Sequence, residues 1–214
     1  MSWAEERAAE RSPAVRRSRS RIADQVRSIL DAAQRLIEIK GDAFTTQELT
    51  KEAGVALQTF YRYFGSKDEL LLAVLGDAME TACLRWTAAA SNLDDPLQRL
   101  HFYITSILGG LGQEPRRDAL AQFIVTTHWR LHRVFPEELA KAEQPFVDLL
   151  HTEIRAAVER GQLKTANTAG DAWFVSELVR SVYHYWAYAP GDAEDVQDRL
   201  WEFVLRALGG VAKP

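Results

Sequence analysis

Sulfur is scarce in this 214-residue chain, which has one cysteine and two methionines. A lone Cys83 cannot build an internal disulfide framework, so packing must hold the fold, and such a sequence suits a reducing cytoplasm. Met79, Ala82 and Trp86 lie close by in the sequence. In that company Cys83 reads as a small packed hydrophobe rather than a sensor thiol. No apolar run approaches the roughly 18 residues that a membrane span needs, and the N-terminus has no hydrophobic signal region. A cytoplasmic protein without a membrane partner is therefore expected. Alternating strand patterns and Asn-Gly hairpin signals are missing, which points to an all-α fold. A Walker loop, a dinucleotide-type glycine run and a Gly-x-Ser-x-Gly elbow are missing too. Neither catalytic residues nor a cofactor is expected.

The charge that is present is unevenly spread. Residues 1–67 carry 12 Lys/Arg against 9 Asp/Glu, and residues 68–214 carry 14 against 21. Within residues 11–30 there are six arginines and one aspartate. A basic N-terminal part favours contact with phosphates, whereas the acidic remainder would be repelled by them. Residues 1–20 read as a flexible Arg-rich arm that orders in part on a polyanion.

Residues 45–67, TTQELTKEAGVALQTFYRYFGSK, read as helix, tight turn and helix. Thr45 and Thr46 offer an N-cap, with Glu48, Leu49 and Ala53 on one face of the helix that follows. Gly54 occupies the position where a helix ends in left-handed geometry, and Val55 plugs the turn. In the next segment Phe60 and Phe64 bury one side, while Gln58, Thr59, Tyr61, Arg62 and Tyr63 offer amides, hydroxyls and a guanidinium on the other. Such groups read base edges and hold phosphates.

The run Gly54-Val55-Ala56-x-x-Thr59-Phe60-Tyr61-x-Tyr63-Phe64-x-Ser66-Lys67-Asp68-Glu69-Leu70 resembles the signature of TetR-family transcriptional regulators. The helix before it fits as well, with Ile22, Val26, Ile29, Leu30, Ala33, Leu36 and Ile37 at helical spacing and Gly41 closing it. The motif covers about residues 20–75; beyond it the likeness is one of architecture. It implies a three-helix DNA-binding domain over residues 21–67 and a helical effector-binding and dimerisation domain over 68–214. It also implies that Thr46, Tyr61, Tyr63 and Lys67 hold phosphates, while Gln47, Leu57, Gln58, Thr59 and Arg62 lie nearer base edges. Two positions depart from the pattern. Ala56 stands where the family often has a capping Ser or Thr, so either another group caps that helix or it starts differently. Leu57 either meets a thymine methyl or packs against a neighbouring turn.

Helices are expected throughout the remainder. Ser66 can cap a long helix running to about Ser91, Pro96 opens one to about Leu111, Pro115 opens another, and Pro136 precedes one that ends at Gly161. Between Asp171 and Ala189 nearly every non-polar residue is large. Val175, Val179, Val182 and Trp186 line one face of that helix, and Phe174, Leu178 and Tyr185 the adjacent one. With Leu200, Phe203 and Val204 of the last helix, the first face is expected to form a homodimer through a four-helix bundle, as the resemblance implies. The alternative is that both are core helices of a monomer.

His128 and His132 are four apart, a spacing that can hold a metal, but no Glu follows the first and no Cys lies near, so no metal is expected. Tyr103, His128, Trp129 and Tyr183 are candidates to line a small-molecule pocket. The sequence thus reads as a DNA-binding regulator, a repressor, released from a palindromic operator by a small apolar or aromatic effector. Its rivals are a DNA-binding structural protein without an effector and a helical ligand carrier or enzyme.

Overall fold

Apolar residues at three- and four-residue steps settle into nine helices among the described residues of the computed structural model, which are 13–109, 115–188 and 193–210. These are α1 (Pro13–Lys40), α2 (Thr46–Ala53), α3 (Leu57–Tyr63), α4 (Lys67–Ala89), α5 (Pro96–Leu108), α6 (Pro115–Val134), α7 (Pro136–Glu159), α8 (Thr168–Trp186) and α9 (Ala193–Ala207). The chain divides into two compact units, one ending at Val74 and the other starting at Leu75.

In the first unit, Ile29, Leu30, Ala33, Leu36 and Ile37 of α1 are buried together with Phe44, Leu49, Phe60, Phe64 and Leu70. Helix α1 begins at Pro13, so residues 13–20 of the expected arm are helical; residues 1–12 lie outside the described residues. Helix α2 opens with a capping box: Thr45 Oγ1 accepts from the Glu48 N–H at 3.1 Å, and Glu48 Oε2 accepts from the Thr45 N–H at 2.8 Å. It closes at Gly54, whose φ of 66° is left-handed, and the Val55 N–H returns to the Thr50 carbonyl at 3.0 Å. Ser28 Oγ donates to the Ala53 carbonyl at 2.8 Å, which ties this end of α2 to α1. The turn between α2 and α3 is therefore fixed from both sides.

In the second unit α7 packs against α5 and α8, and α9 against α5. Leu100, Ile104, Phe146, Leu150, Ile154, Val175, Val179 and Val204 form its core. Gly76 lets α4 approach α7 closely, because a Cβ there would meet the Ala142 Cβ at 3.3 Å. Asp95 caps α5 through the Leu97 N–H at 3.1 Å. Arg99 pairs with the buried Glu153 of α7 at 2.7 Å and also donates to the Leu93 carbonyl at 2.6 Å. A carboxylate this buried persists only with such a partner. Helix α5 stops at Leu108, short of the expected Leu111. The Gly110–Gly112 stretch, Ala189 and Val211 lie outside the described residues.

The expected interface needs correction. Val175, Val179, Leu200 and Val204 are buried within their own chain, and Val182 and Trp186 are partly buried against the same core. Phe203 is exposed at 56%, and the large apolar side chains that share its exposure on α8 are Trp173, Phe174 (66%) and Tyr185 (68%). Helix α8 is apolar nearly all round, so periodicity alone does not say which face turns inward. Packing against α5 and α7 takes the Val175–Val179 face and leaves the other to solvent.

Candidate nucleic-acid interface and ligand cavity

Helix α3 is anchored by Phe60, which is fully buried. Leu57, Gln58, Tyr61 and Arg62 are exposed on the side away from it, while Thr59 and Tyr63 are partly buried at the edge. Leu57 and Tyr61 are four apart, as are Gln58 and Arg62, and Gln58 and Tyr61 are three apart, so these four side chains form one surface. The Tyr61 ring meets Phe60 edge-on, with centroids 5.0 Å apart. In the first turn of α2 Gln47 is exposed and Thr46 partly so. Ala56 has extended backbone and supplies no side-chain cap; its carbonyl accepts from the Thr59 and Phe60 N–H groups, so α3 starts there without a substitute cap.

Three of the expected contact residues are held by partners that the sequence did not reveal. Arg62 Nη2 reaches Gln25 Oε1 at 3.3 Å and the Tyr63 oxygen at 3.1 Å, and the Tyr63 hydroxyl donates to the same Gln25 oxygen at 2.7 Å. Lys67 Nζ donates to the Phe44 carbonyl at 2.8 Å and to the Asp42 carbonyl, and lies 4.3 Å from the Phe44 ring centre. Its ammonium thus secures the loop between α1 and α2. No periodicity signals either link, since each joins residues more than 20 positions apart.

Within the second unit a cavity of about 340 Å³ is lined by apolar Leu75, Met79, Trp86, Ile107, Ile124 and Phe146 and by a polar group on α6, α7 and α8. Of the four candidates named from sequence, His128 and Tyr183 line it. Tyr103 does not: it is buried in the core between helices. Trp129 does not either, being 59% exposed one residue beyond the inward His128. The sequence reading also missed Arg85, Glu143, Ser176, Arg180 and His184 of the lining. Glu143 and Arg180 belong to separate helices, and a sequence shows charge but not which charges meet.

The polar wall is an ion chain. His128 Nε2 lies 2.9 Å from Glu143 Oε1, Arg180 Nη1 lies 2.7 Å from Glu143 Oε2, and Arg180 Nη2 bonds Glu177. Burial pushes the Glu143 carboxyl up, but hydrogen bonds from His128 and charge from Arg180 bring it below the usual range. An ionised Glu143 can only accept, so Nε2 of His128 carries the hydrogen. The other nitrogen, Nδ1, is buried with no hydrogen-bond partner among the described residues. An atom left so costs about 1–3 kcal/mol. His184 meets the His128 ring edge-on at 5.0 Å. Burial, with His128 and Arg180 nearby, lowers its pKa to about 4. Burial pushes the Tyr183 hydroxyl up to about 12. His132 stacks on His128 at 6.3 Å, yet no group of three or more metal-ligating side chains assembles among the described residues. Cys83 is buried and its thiol is raised to about 11 by desolvation, so it packs as a hydrophobe.

A capped α2, a glycine turn and an α3 with one buried and one polar face define a helix-turn-helix protein. Residues 29–74 match the family model of bacterial regulatory proteins, tetR family. The HTH-type transcriptional repressor KstR of Mycolicibacterium smegmatis is 29% identical over 189 residues, 85% of each chain. RolR in complex with resorcinol has the same fold, with a TM-score of 0.67 at 17% identity over 89% of this chain and 90% of that one. So does FadR from Bacillus subtilis in complex with stearoyl-CoA, at 0.64 and 16% over 86% and 98%. The chain therefore carries a TetR-family DNA-binding domain and is a DNA-binding transcriptional regulator similar to TetR-family repressors.

Proposed function

We propose that this regulator is a repressor that binds a palindromic operator as a homodimer and leaves it when a small apolar or aromatic molecule fills the cavity of the second unit. The observation that carries the proposal is the polar surface of α3, where Gln58, Tyr61 and Arg62 stand exposed beside Leu57 over a buried Phe60. Gln58 and Arg62 are the candidates for base edges, with Gln47, Leu57 and Thr59 beside them. Tyr61, Tyr63 and Thr46 are the candidates for phosphates. Lys67 joins them only if it leaves the carbonyls it now holds. The name of KstR, a repressor, supports the sign of regulation. The ligands in the RolR and FadR structures support an effector site in this fold. Exposed Trp173, Phe174, Tyr185 and Phe203 support self-association, since apolar patches of that kind mark interaction surfaces.

The test is selection of bound duplexes from a random pool by the full chain, followed by footprinting. A two-fold symmetric site with half-sites about one helical turn apart is expected. Binding without sequence preference would overturn the proposal and favour an effector-independent structural role on DNA.

A further inference from the structure

The cavity offers two kinds of polar group, and they differ in what they leave available. The charges lining its interior are already compensated: Arg180 is shared by Glu143 and Glu177, and Glu143 also takes the His128 hydrogen. Tyr183 and His184, adjacent on α8, line the same space, and neither side chain has a hydrogen bond to a described residue. A phenolic hydroxyl both donates and accepts, and a neutral imidazole donates at one nitrogen and accepts at the other.

We propose that the occupant of this cavity is an uncharged apolar compound bearing a hydroxyl, which accepts from Tyr183 and donates to His184, and that a carboxylate in its place is disfavoured. This rests on the effector reading above. A carboxylate can accept from both groups but returns no hydrogen, and it meets the fixed charge of Glu143 with no uncommitted interior cation to offset its lost hydration. Arg85 is the one cation of the lining without a partner among the described residues, and it is exposed, where an ion pair gains little. A bare hydrocarbon fits the apolar wall but leaves both polar groups unsatisfied. With its pKa lowered to about 4 by burial, His184 keeps its accepting nitrogen at neutral pH. A volume of about 340 Å³ equals about eleven waters at about 30 Å³ each, which suits a compact molecule.

The experiment uses the full chain and matched sets on three bodies. Phenol, 2-naphthol and 4-phenylphenol are titrated beside benzene, naphthalene and biphenyl, and beside benzoate, 2-naphthoate and 4-phenylbenzoate. On at least one body the hydroxyl compound should bind about tenfold more tightly than its hydrocarbon and its carboxylate. Tyr183→Phe and His184→Phe should each remove most of that advantage and leave hydrocarbon affinity within about twofold, which also shows that the cavity is intact. Equal binding of hydroxyl compound and hydrocarbon on every body would overturn the hydroxyl subsite and leave the apolar effector reading standing. A carboxylate that binds tightest and weakens in Arg85→Ala overturns it in favour of an anionic ligand. If none of the nine binds, the subsite and the effector reading fail together.

Discussion

The Tyr63 hydroxyl donates to Gln25 Oε1 at 2.7 Å and joins the end of α3 to α1 across 38 positions of sequence. Arg62 leans on the same amide oxygen at 3.3 Å, and its guanidinium carbon sits 4.8 Å from the Tyr63 ring centre. Gln25 therefore sets where Arg62 stands, and is a positioning residue in the proposed DNA contact.

Gln25→Ala should weaken binding to a selected operator by about 0.5–1.5 kcal/mol, the worth of one neutral hydrogen bond. Arg62→Ala should cost about 1–3 kcal/mol and relax specificity at one base pair. If Gln25 works through Arg62, the double variant should lose less than the sum, by about 0.5 kcal/mol or more. Strict additivity in gel-shift titrations would show that Gln25 acts on something else.

Ala56 predicts a gain. Its φ of −71° and ψ of 148° are those of an N-cap residue, but it has no side-chain oxygen to offer the first turn of α3. Ala56→Ser should stabilise the first unit by about 0.5–2 kcal/mol. Thermal unfolding of the full chain reads the change. A melting point that stays put or falls would mean that the first N–H groups of α3 are already satisfied, or that the hydroxyl cannot reach them.

Much of this was legible in the sequence, and for local reasons. Thr45, Gly54 and Phe60 act within one or two turns of their own position, so cap, turn and buried anchor could be read from spacing. The Gln25–Tyr63 link, the hold of Lys67 on the loop carbonyls and the Glu143–Arg180 pair all join distant segments, and composition gives no register for such meetings. Helix α8 failed differently. Its valine face and its aromatic face are both apolar, and the choice between them belongs to the helices that pack on it. Trp129 and His128 are adjacent in sequence, yet one helical step of about 100° puts His128 in the cavity wall and Trp129 in solvent.

Glu48 makes the acid limb of stability testable. The Lys40 ammonium at 2.6 Å, followed by the Thr45 N–H, lowers its pKa from 4.5 to about 2. A carboxyl depressed on folding stabilises the fold above its unfolded pKa and loses that contribution as pH falls through its folded one. The loss should therefore run from about pH 4.5 down to about pH 2. Glu48→Gln should flatten this part of a plot of urea midpoint against pH, and added salt should shrink the Lys40 share because the pair is exposed. Identical slopes in the two proteins over that interval would remove Glu48 from the acid response.

The two faces of α8 predict opposite behaviour for the same chemical change. Phe174 is 66% exposed and Phe203 56%, whereas Val179 is fully buried in its own chain. Phe174→Glu or Phe203→Glu places a charge on the open face, so each should leave the monomer folded while breaking self-association through that surface. Val179→Glu buries an unpaired carboxylate and should cost several kcal/mol, enough to unfold the second unit before any question of assembly arises. Sedimentation velocity beside circular dichroism separates these results. Operator affinity should drop in Phe174→Glu, because each monomer then holds one half-site. A Phe174→Glu, Phe203→Glu double variant that still sediments as a dimer would place self-association on some other surface of the chain.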